Sequence, residues 1–171
     1  MPLRIIDGDY VADITLAGKR IRKTLPATTQ EEAEAQYETF ARGGILAARF
    51  PVPRSALYRA PEMNELRRKT KERAEVRDIP FDLTQLQVQE LFNTAGHRCQ
   101  LTGLPFNKSY KPAGSTKRPF AASLDRIDCT LGYTIVNVRL VCVAVNVALG
   151  EWGYESLKRI ALAIALRERM I

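Results

Sequence analysis

The stretch AASLDRIDCTLGYTIVNVRLVCVAVN, residues 121–146, constrains this chain more than any other segment. It opens with the alternation of a strand, and Asp125 and Arg126 close that strand. Gly132 then supplies a turn, and the apolar run that follows predicts a helix carrying Asn146. An unpartnered amide buried in VCVAVNVALG costs about 1–3 kcal/mol, so a polar group should face Asn146. An aspartate at a strand end can also simply cap a turn, and Asn137 can begin the following helix as an N-cap.

The chain has 171 residues, 46% hydrophobic and 26% charged, enough for one ordinary core or two small ones. Its longest apolar stretches, near 140–149 and 160–166, are too short and too interrupted by charge to cross a bilayer, so no membrane partner is expected. The opening MPLRIIDGDYVADI has acidic residues where a signal peptide needs an apolar run, which predicts a cytoplasmic protein. The three cysteines, Cys99, Cys129 and Cys142, are an odd number for a disulfide framework and are expected as thiols.

A net charge of +7 favours a polyanionic partner, because each phosphate contact by Lys or Arg releases condensed counterions. The basic residues cluster in GKRIRK (18–23), LRRKTKER (66–73) and KPAGSTKR (111–118). These point to double-stranded DNA, with Arg67, Arg68, Lys117 and Arg118 as contacts. Aromatic residues, at 8% and unclustered, give little support to a base-stacking RNA site.

Three regions separate along the chain: residues 1–48, a connector at 49–80, and residues 81–171. In the first, DYVADITL alternates, AGK turns, RIRKTL alternates again, and ATTQEEAEAQYETFARGG is helical, with Thr29 as N-cap and Gly43–Gly44 as stop. The pattern VADITLAGKRIRKTLPATTQEEAEA resembles the arm-binding module of phage integrases and the AP2 module of the same architecture. The resemblance implies a three-stranded sheet plus helix that grips DNA through Lys19, Arg20, Arg22 and Lys23. Strand alternation puts Arg20 and Arg22 on one face and Lys19 and Lys23 on the other. The ordinary alternative is a hairpin with charged solvent edges.

The connector holds three prolines between residues 51 and 61, which oppose continuous helix or sheet. MNELRRKTKERAEVRD follows with mixed charge at helical spacing, a spacer or a helix laid along DNA. DLTQLQVQELFNTAG then offers Leu83, Leu86, Leu91 and Phe92 to a core. GHRCQLTGLPFN, PFAASLDRID and GYTIVNVRLVCVAVN read as two strands, an extended loop and one helix.

The ordered set SLDRID, GYT and NVRLVC.AVN resembles the ββα-metal fold of HNH endonucleases, in a phage and prophage branch. The fold class expected is therefore α+β, with a C-terminal ββα-metal module flanked by helices. The resemblance implies Asp125 and Asn146 as ligands of Mg²⁺ or another divalent cation such as Mn²⁺, leaving room for water and phosphate oxygens. It implies that Asn137 braces the loop and orients the general base. Where the family has a histidine after the metal aspartate, this chain has Arg126, whose guanidinium cannot accept a proton near neutrality. Arg126 could still clamp a phosphate oxygen, leaving water activation to the cation, to Asp128 or to His97. Many relatives also carry zinc on two CxxC pairs; here the spacings read Cys99-x-x-Thr102 and Cys142-x-x-Val145, so no structural zinc is expected, and Cys99 and Cys142 should be neighbours in the core.

EWGYESLKRIALAIALRERM is amphipathic, with Leu157, Ile160, Ala161, Ile164 and Ala165 in a stripe suited to packing on the nuclease module. A stripe wider than that module covers would pair with a second copy, giving a homodimer. Two functions are compatible with these features: a metal-dependent DNA endonuclease, and a catalytically inactive HNH-like DNA-binding protein or phage transcriptional regulator.

Overall fold

A computed structural model describes residues 3–16, 19–52, 54 and 57–168; the side chains of residues 16, 19, 42, 43 and 45–49 lie outside that description. The chain forms two compact units, Met1–Val52 and Pro53–Ile171. Among the described residues no helix is long and apolar enough to cross a membrane.

The first unit is an antiparallel sheet in the order β1 (Leu3–Ile6), β2 (Asp9–Leu16), β3 (Lys19–Leu25), followed by α1 (Gln30–Arg49). Asp7 and Gly8 make the first turn, both with positive φ of 52° and 90°, as a two-residue hairpin loop demands. The second turn, at Ala17–Gly18, lies outside the described residues. Alternation sends Ala12, Ile14 and Leu25 to one face, where they are buried with Ala33 of α1. Thr29 caps α1, its Oγ1 accepting from Glu32 N at 3.2 Å, while Glu32 reaches back to the Thr28 and Thr29 amides. The helix does not stop at Gly43–Gly44 but runs on to Arg49, because the good helix formers Leu46, Ala47 and Ala48 follow the glycine pair.

The second unit begins with α2 (Ala60–Val76) and α3 (Gln85–Thr94), continues through β4 (Ala122–Arg126) and β5 (Val138–Cys142), and ends with α4 (Val143–Leu149) and α5 (Gly153–Glu168). Its core gathers Leu83, Val88, Phe92, Phe106, Leu124 and Leu140. The segment read from the sequence as a spacer or a helix laid along DNA is α2, which buries Met63, Thr70 and Ala74 in this unit. Thr84 caps α3 by accepting from Gln87 N, and the cap turns Val88 and Phe92 inward while Leu86 is exposed.

Two expected elements differ. Val138–Cys142 is a strand and not the start of a helix: it pairs antiparallel with β4, Asp125 opposite Arg139, and the helix begins only at Val143. Gln100 holds the outer edge of β5, its N donating to Leu140 O at 2.9 Å and its Oε1 accepting from Leu140 N at 2.6 Å. GHRCQLTGLPFN forms a single antiparallel bridge, Arg98 with Pro105, in place of a strand, as Gly103 and Pro105 interrupt pairing. The C-terminal stripe also departs from expectation, for α5 has no buried residue and leaves Ile160, Ile164 and Leu166 exposed.

Candidate functional site

β4, β5 and α4 form a hairpin followed by a helix, and their junction brings Asn146 to Ser123 and Leu124, the two residues before Asp125. Ser123 and Asp125 share one face of β4 by alternation. The Nδ2 of Asn146 donates to Ser123 Oγ at 2.8 Å and to Leu124 O at 3.3 Å, so the polar partners that a half-buried amide requires come from the two residues before Asp125. Among the described residues Asn146 Oδ1 accepts no hydrogen bond.

Asp125 meets Arg139 directly across the hairpin, Arg139 Nε donating to Asp125 Oδ2 at 2.8 Å, with side-chain exposures of only 16% for Arg139 and 12% for Asp125. Burial pushes the Asp125 carboxyl upward, and this outweighs the opposing pull of Arg139 and Arg126. Asp125 Oδ1 makes no hydrogen bond among the described residues.

Arg126 is committed to the loop that follows it. Its Nη1 donates to the carbonyls of Cys129 at 2.6 Å and Leu131 at 2.7 Å, and the guanidinium lies over the Tyr133 ring at 5.4 Å. Asn137, 6% exposed, does not cap a helix; it holds the same loop from inside. Its Oδ1 accepts from Asp128 N at 2.9 Å, and its Nδ2 donates to Asp128 O at 3.0 Å and Gly132 O at 2.9 Å. Gly132 belongs to that arrangement because a Cβ there would stand 2.6 Å from Pro80 O, where Tyr133 N donates to Pro80 O. The Asp128 carboxylate is tied to Thr130, whose hydroxyl and amide lower its pKa, which suits it poorly to accept a proton.

His97 sits elsewhere in the unit. Its Nδ1 accepts from Tyr58 N at 3.2 Å, its ring is 5.8 Å from Phe92, and burial together with Lys108 lowers its pKa. Cys99 and Cys142 are buried neighbours, and the interaction of the two thiols makes the Cys99 proton easier to lose and the Cys142 proton harder. Among the described residues no three His, Cys, Asp or Glu side chains converge as a closed metal set.

A cleft of about 780 Å³ lies beside this junction, lined by Arg73, Arg77, Lys111, Lys117, Arg118 and Asn146, with Ser123 and Tyr133. None of its lining residues is acidic. Lys111, Lys117 and Arg118 belong to the basic run 111–118 and Arg73 ends the run 66–73, whereas Arg77 lies outside the clusters; it is the fold that brings the two runs together. Arg67 and Arg68 do not line it. Arg67 donates to Leu83 O at 2.6 Å and covers Phe81, fastening α2 to the next segment, and Arg68 pairs along its own helix with Glu65 and Glu72.

In the first unit Arg20 and Arg22 share the sheet face opposite α1, both paired with Asp13, whose pKa falls to about 2 mainly through its hydrogen bond with Arg20. Lys23 is on the helix face, its Nζ over the Phe40 ring at 5.6 Å. The Lys19 side chain lies outside the described residues.

As donors, the open oxygens of Asp125 and Asn146 suit a hard divalent cation in type, a carboxylate and an amide from adjoining elements with water or phosphate to complete the sphere. Compared with known proteins, the chain matches no family model, no curated protein and no solved structure.

Proposed function

We propose that the second unit binds double-stranded DNA in its cationic cleft and hydrolyses phosphodiester bonds as a metal-dependent endonuclease of the HNH, ββα-metal kind. The observation that carries this reading is the cleft's lining: five cations, no acid, and Asn146, whose amide is tied to β4 next to Asp125. Asp125 and Asn146 would hold Mg²⁺ or Mn²⁺. When bound, such a cation supplies charge neutralisation at the phosphate and acidifies its water. The cleft's cations position the DNA backbone, and Asn137 and Arg126 keep the loop after β4 in one shape. In the first unit, Arg20 and Arg22 present an integrase-arm-like sheet face to DNA, with Asp13 setting their orientation.

A second reading is an inactive HNH-like DNA-binding protein or phage regulator. It is favoured by Arg139, which already neutralises Asp125, and by Arg126, which stands where the base is expected and is engaged with loop carbonyls. Supercoiled plasmid with Mg²⁺ or Mn²⁺, with and without EDTA, separates the two. The endonuclease reading expects nicking that EDTA and Asp125→Asn both abolish. DNA binding with no nicking under any of these conditions would leave the regulator.

A further inference from the structure

The Asp125–Arg139 pair leaves most of the arginine's donors unused. A guanidinium has five N–H donors, and here only Nε is engaged. Among the described residues the Nη atoms of Arg139 make no hydrogen bond, and they are not among the fully buried polar atoms that lack a partner, so solvent reaches them. A charged fork so little exposed and left open, across the hairpin from a residue whose two predecessors, Ser123 and Leu124, line the cationic cleft, suits a bidentate anion such as a phosphate. A divalent cation approaching Asp125 must meanwhile compete with Arg139 for the same carboxylate.

We propose that Arg139 serves two anions in turn, Asp125 in the free protein and a DNA phosphate in the complex, and so couples DNA binding to cation binding at Asp125. This rests on the assignment of Asp125 as a cation ligand made above. Each partner relieves the other's competition: phosphate draws the fork away from the carboxylate, and a cation on the carboxylate releases the fork for phosphate. Linkage makes the effect reciprocal. The free protein is therefore a poor cation binder, and the site loads where DNA is present.

Two measurements test this without relying on cleavage. In the first, Mn²⁺ binding to the free protein is followed by isothermal calorimetry. Arg139→Gln should bind Mn²⁺ tighter by about fivefold or more, and Asp125→Asn should lose that binding. Equal or weaker binding by Arg139→Gln, with Asp125→Asn still inactive in binding, overturns the coupling alone. Mn²⁺ binding unaffected by Asp125→Asn would remove the cation assignment and this proposal with it. In the second, binding of a fluorescent duplex is measured in EDTA. Asp125→Asn should tighten it by about fivefold, and the gain should vanish in the double variant Asp125→Asn, Arg139→Gln, which leaves neither charge buried alone and so is expected to fold. A gain that persists in the double variant would come from loss of negative charge alone, and would overturn the role of Arg139.

Discussion

The hydroxyl of Tyr58 accepts a hydrogen bond from the backbone N–H of Ala122 at 2.9 Å, fastening the segment that enters α2 to the first residue of β4. The same ring stacks on Phe92 with centroids 4.8 Å apart, so one side chain joins the helical part of the second unit to its hairpin. Tyr58→Phe keeps the stacking and removes the acceptor. The second unit should lose about 1–3 kcal/mol in urea unfolding, the cost of a buried N–H left without a partner. An unchanged midpoint would show that water replaces the hydroxyl.

His97, the chain's only histidine, makes the second unit sensitive to mild acid. Its Nδ1 must stay unprotonated to accept from Tyr58 N, and burial and Lys108 lower its pKa in the folded state. A lowered folded pKa means that the unfolded chain binds the proton first. Stability is then fully present above the ordinary histidine value of about 6.5 and is lost as pH falls from there through the folded pKa. Thermal melts of the second unit should therefore drop between pH 7 and pH 5, and His97→Gln should flatten that slope. A slope kept in His97→Gln would assign it to carboxylates.

Gly132 approaches Pro80 too closely for any side chain. Gly132→Ala should destabilise the second unit by about 1–3 kcal/mol, as overpacking does, because the nearest atom is backbone and cannot swing aside. Pro80→Ala cannot rescue it, since the Pro80 carbonyl remains in place.

The cleft and the α2 arginines make opposite predictions. Arg77→Ala and Arg118→Ala should each weaken duplex binding and reduce the slope of log affinity against log salt by about 1. Arg67→Ala should leave that slope unchanged and lower stability, since Arg67 is spent on the Leu83 carbonyl and the Phe81 ring. A slope change in Arg67→Ala equal to that in Arg77→Ala would place DNA along α2.

Much of the first unit was legible because its signals are local: period-two alternation in DYVADITL and RIRKTL and a Thr29 cap each act within a few residues, whereas the Asp7–Gly8 turn that adds β1 was not read from the residues. β5 was misread because VRLVC, apolar at four of five positions, has no period that separates strand from helix. What decides it is pairing with β4, a contact made across a loop. The pairing of Asp125 with Arg139 was hidden for the same reason, since it follows from that register. That a polar group should face Asn146 follows from the cost of a buried amide, and its partners are polar; that they are Ser123 and Leu124 of β4 does not. The cleft was half visible. Lys111, Lys117 and Arg118 belong to one basic run, whereas Arg73 and Arg77 come from α2 and its end, and no charge count says which of 26 basic residues will meet.

Asn137 carries one more consequence. The loop between β4 and β5 gets its shape from the Asn137 amide pointing inward, the Arg126 guanidinium on its carbonyls and the glycine at its waist, while Ile127, Leu131, Ile135 and Val136 are exposed. Form and surface are thus written by different residues. The outward positions make a natural cassette, in which foreign side chains or a peptide tag could be exchanged while the frame beneath, including Asp125, stays as it is.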